Sequence, residues 1–122
     1  MPSPRKNPAG FRRLIHVAPL VTWEKHVRKE GLVPRLGHRG CTVDDPHEPR
    51  TYFFADRGTA EDGMANWLLD LHPRVRRFAI IEAAVPRRDV HDDPEISGSF
   101  YTTRPVPPAR LRLLEKLDVG ED

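Results

Sequence analysis

The chain has 122 residues, 38% hydrophobic and 31% charged, with two Trp, two Tyr and five Phe; this describes one globular domain with a modest core and a richly charged surface. Twenty basic against eighteen acidic side chains leave a formal charge of +2, too small to imply a nucleic-acid partner by itself. No apolar run approaches the roughly 18–20 residues of a membrane span and the N-terminal stretch lacks the apolar centre of a secretory signal, so a cytoplasmic protein without membrane attachment is expected.

Residues 1–10 hold Pro2, Pro4 and Pro8 with Arg5 and Lys6, and no large apolar side chain after Met1. A flexible tail is expected there, with a single domain over 11–122. Phe11 to Val17 carries Leu14, Ile15 and Val17 and suits a strand, which places His16 near its end. Pro19 opens a helix over about 20–30, with Trp23 and Val27 four residues apart and Gly31 as its left-handed stop. Leu32-Val33-Pro34 leaves in extended form.

Residues 35–50 read as a long loop, a candidate lid or substrate loop. Thr51 to Ala55, with three adjacent aromatics, reads as a buried strand ended by Asp56-Arg57-Gly58. Thr59 to Asp62 has the form of a capping box, and Met64, Trp67, Leu68 and Leu71 then give a helix one apolar face until His72-Pro73. Phe78 to Val85 and Phe100 to Thr103 are further strands. Leu111, Leu113, Leu114 and Leu117 fit a last strand or a short amphipathic helix equally well. Two early helices among later strands indicate an α+β class.

Few residues carry recognisable chemistry. The single Cys41 has no partner for an internal disulfide. His26, His38, His47, His72 and His91 form no pair at metal-ligand spacing. Ser97-Gly98-Ser99 lacks a nucleophile elbow, and the acidic segment from Gly58 to Gly63 is unsuited to cradling phosphates. His16 is the first candidate, because an imidazole both donates and accepts hydrogen bonds near neutral pH; a histidine buried among apolar neighbours is the plainer reading of the same residue.

The order Leu14-Ile15-His16, Gly31-Leu32-Val33-Pro34, Thr51-Tyr52-Phe53-Phe54-Ala55-Asp56 and Ala65-Asn66-Trp67 resembles the ADP-ribosyltransferase fold, in its poly(ADP-ribose) polymerase-like and RNA 2′-phosphotransferase-like branches. The resemblance implies two small sheets forming a cleft with two helices, and NAD bound there as substrate. It implies that His16 holds the adenosine ribose and that Tyr52 packs on nicotinamide, a role that an offset of one gives to Phe53. Trp67 joins the site on the same ground. Arg12, Arg13 and Arg57 are candidates for the pyrophosphate, since guanidinium forks match phosphate oxygens.

Transferases of this kind commonly carry a glutamate at the head of a late strand. Here that strand begins Ser97-Gly98-Ser99-Phe100-Tyr101, and Glu95 is the nearest carboxylate, hence the candidate catalytic residue. The implied activity is transfer of ADP-ribose to an unidentified protein or nucleic-acid acceptor. Two alternatives stand beside it: a non-catalytic binding module on the same fold, and a small RNA-directed phosphotransferase or nuclease. The sequence assigns no oligomeric state.

Overall fold

The computed structural model describes residues 10–35, 48–69, 72–94 and 96–119. Cys41, His38, His47, most of the 35–50 loop and residues 1–9 of the expected tail lie outside the described residues. Six strands form one antiparallel sheet: β1 (Phe11–Pro19), β2 (Thr51–Phe54), β3 (Arg77–Pro86), β4 (His91–Asp92), β5 (Ser99–Thr102) and β6 (Leu111–Asp118), in the spatial order β4-β5-β2-β1-β3-β6. Helix α1 spans 20–30, widened into a π-type turn over Trp23–Val27, and α2 spans 57–69. The domain is therefore α+β.

Alternation along β1 sorts the core into two layers. On the first face, Leu14 and Ala18 join Phe53, Ala79, Ile81, Ala83 and Val85, covered by Leu20 and Val27 of α1 and by Leu32 and Val106. On the second face, Ile15 joins Phe54, Phe78 and Ile80, covered by Ala60 and Met64 of α2. Gly63 lets α2 settle there, because a Cβ at that position would overlap the Phe54 ring. Gly31 ends α1 with φ +87°, and a Cβ there would overlap the Val106 carbonyl oxygen. The Leu32 and Val106 backbones bond each other twice, at 2.9 Å each. The Gly-Leu exit of the helix is thus held to the connection between β5 and β6 by backbone as well as by packing.

Several expectations change. The cap of α2 is Asp56, which accepts from Thr59 N at 2.8 Å and Thr59 Oγ1 at 2.9 Å, and the helix starts at Arg57. Asp56 is extended (φ −159°, ψ −177°), the geometry that turns a side-chain oxygen onto the first helical amides. These bonds, the backbone one foremost, hold the Asp56 carboxyl below the usual carboxylate range. The last segment is a strand, because it pairs along β3 from Ala83↔Leu111 to Arg77↔Asp118. In place of two small sheets there is one sheet with an uneven joint. β1 pairs with β3 along its whole length, from Phe11↔Pro86 to Pro19↔Phe78, whereas it meets β2 at the single register Ile15↔Phe54. That joint is a seam between β4-β5-β2 and β1-β3-β6.

Candidate functional site at the seam

His16 points to the first face, two residues from Leu14 and two from Ala18, beside the seam. One residue beyond the Ile15↔Phe54 pair, the backbone ladder gives way to a side chain: His16 Nδ1 lies 2.8 Å from the carbonyl oxygen of Tyr52. A carbonyl only accepts, so Nδ1 carries the proton. The half-buried ring stands edge-on to Phe53, with centroids 5.8 Å apart and planes at 63°. Burial pushes the His16 pKa below its ordinary value, although the bond to Tyr52 works the other way. The resulting neutral imidazole leaves Nε2 as a hydrogen-bond acceptor, suited to a hydroxyl such as that of a ribose.

The remaining candidates divide between the faces. Phe53 joins His16 on the first face but is 1% exposed, so it positions the imidazole and offers no surface of its own. Tyr52 contributes its carbonyl to His16 while its ring lies on the second face. There the ring neighbours Tyr101 (6.0 Å), and Arg50 stacks over Tyr101 at 3.9 Å with Glu48 as its carboxylate partner. Arg13 is also on the second face, 3.6 Å from Glu82, and Arg57 pairs there with Glu115. Neither of these two arginines is turned toward the His16 ring, whereas Arg12, on the first face, is seated on the Phe100 ring. Trp67 lies in the backbone of α2, with its side chain outside the described part, and Glu95 lies outside the described residues.

One element of this site escapes a linear reading: the Tyr52 main-chain oxygen. Main-chain acceptors leave no mark in the residue alphabet, and the only signal for this one was the strand position of His16 relative to an aromatic strand of uncertain register. Among the described residues, no group of three or more His, Cys, Asp or Glu side chains is arranged to hold a metal ion, and no helix is long and apolar enough to cross a membrane. No family model matches the chain, and no curated protein and no solved structure matches it.

Proposed function

We propose that the chain binds NAD at the seam and is an ADP-ribosyltransferase-like protein. The observation that carries this reading is the His16 to Tyr52 hydrogen bond: it fixes one tautomer and aims an acceptor nitrogen from a strand position beside an interrupted ladder. In this reading Nε2 accepts from a ribose hydroxyl. Transfer breaks the glycosidic bond between ribose C1′ and nicotinamide, which leaves with the bonding electron pair. The acceptor's nucleophilic atom attacks C1′ and loses its proton. Positive charge develops on the ribose as that bond breaks, so a nearby carboxylate accelerates the step, and Glu95 is the residue proposed for it.

A second reading, a binding module without transfer, is favoured by the ion pairs that hold Arg13 to Glu82 and Arg57 to Glu115 on the opposite face. Incubation with NAD labelled in the nicotinamide ring separates the two. Released nicotinamide that falls at least tenfold in Glu95→Gln supports the transferase. Saturable binding without release supports the module. Neither release nor binding removes both.

A further inference from the structure

The formal charge of +2 conceals an uneven distribution. Strand pairing brings the start of β1, the end of β3 and the start of β6 to one end of the sheet: Phe11 lies opposite Pro86, and Ala83 opposite Leu111. Arg12, Arg13, Arg87, Arg88, Arg110 and Arg112 gather there, and Arg87 N bonds Gly10 O at 2.8 Å to fasten the corner. Among the described residues, the carboxylates near this end are Glu82, Asp89, Asp92 and the buried Asp93. Glu82 is shared by Arg13 (3.6 Å) and Arg112 (3.2 Å), Asp89 pairs with Arg104 (3.8 Å), and Asp92 lies across from Phe100.

Two of these arginines rest on rings. The Arg110 guanidinium is 4.0 Å from the Phe11 ring centre, and that of Arg12 is 4.1 Å from the Phe100 ring centre. A guanidinium seated on an aromatic face is held in one plane, with its N–H edge available to phosphate oxygens and its outer face to a base. The exposed large apolar side chains, Val21, Val33 and Val119, belong to α1, its exit and the residue after β6. Val33 alone approaches the corner, because Leu32 beside it bridges Val106 and Gly31 meets Pro107 and Pro108 just before Arg110; a single valine is less than the apolar wedge that a lipid surface selects.

We infer that this arginine corner binds single-stranded nucleic acid, taking the phosphodiester backbone on its guanidinium edges and stacking a base on the Arg110 plane. The substitutions that test it leave His16 and Tyr52 untouched, so its failure and that of the seam reading are distinguishable.

Fluorescence anisotropy with a labelled 12-nucleotide single strand at 50 mM NaCl tests it. The corner variant is Arg87→Glu/Arg88→Glu/Arg110→Glu. Its control is Arg74→Glu/Arg76→Glu/Arg77→Glu, an equal change of charge on exposed residues at the opposite end of β3. The expected result is wild-type binding that weakens steeply with added salt, an affinity loss of about tenfold or more in the corner variant, and a loss below about threefold in the control. Circular dichroism checks both folds; should the corner variant unfold, Arg87→Gln/Arg88→Gln/Arg110→Gln replaces it with the same expectation. Equal losses in the two variants, no wild-type binding to the single strand, or binding only to phosphatidylserine vesicles overturns the inference.

Discussion

His16 Nδ1 donates to the carbonyl oxygen of Tyr52 over 2.8 Å, one residue past the only register at which β1 and β2 pair. The side chain closes a hydrogen bond that the backbone ladder leaves open. Removing it with His16→Ala strands a main-chain acceptor and deletes a half-buried ring, so a loss of about 1–3 kcal/mol is expected in urea unfolding. A loss below about 0.5 kcal/mol would mean that the bond contributes little.

The same burial gives a pH dependence with a defined sign. The unfolded His16 ring titrates near 6.5 and the folded ring below that, because burial disfavours its charge. Between those values the unfolded chain binds more protons, so stability is complete above about 6.5 and falls as the pH drops. His72, beside the Phe78 ring, is shifted the same way by burial. Urea midpoints from pH 7.5 to 5 are expected to fall less in His16→Gln than in the wild type. Parallel curves would assign the dependence to other groups.

Gly10 and Gly31 share a positive φ, +86° and +87°, but differ in surroundings. A Cβ at Gly10 meets nothing within 4 Å, whereas at Gly31 it overlaps the Val106 carbonyl oxygen. Gly10→Ala is expected to cost about 1 kcal/mol from backbone strain alone. Gly31→Ala adds the clash and is expected to cost about 2–4 kcal/mol. Equal costs in thermal unfolding would show that the helix exit relaxes freely.

Arg57 pairs with Glu115 on the face away from His16. Arg57→Ala is therefore expected to leave any NAD affinity within about twofold, and stability within about 1 kcal/mol, the usual range for an exposed pair. A tenfold loss of NAD affinity would instead bring Arg57 to the ligand.

The α+β class, both helices and the main strands were legible because each carries its own periodicity or stop: Trp23 and Val27 with Gly31, and the alternation from Phe78 to Val85. The cap of α2 was misplaced because Asp56 and Thr59 are both capping types, and only the extended backbone of Asp56 selects between them. β4, two residues long, is too short to carry a pattern. The face of each site residue was beyond reach for a general reason: a one-residue shift in register moves a side chain to the other side of a sheet. That shift separates Phe53, against His16, from Tyr52, whose ring lies on the second face. Register depends on partners distant in the chain, as with Arg13 and Glu82 or Arg57 and Glu115. The last segment likewise became a strand through pairing with β3, which its own leucine spacing leaves undecided.

Calorimetric titration with NAD at pH 7.5, on wild type, His16→Ala and Tyr52→Phe, tests the seam most directly. Saturable one-to-one binding to wild type is expected, with an affinity at least tenfold lower in His16→Ala, about 1.4 kcal/mol, and little change in Tyr52→Phe, which keeps the carbonyl. No binding to wild type, or equal affinity in all three proteins, would contradict it.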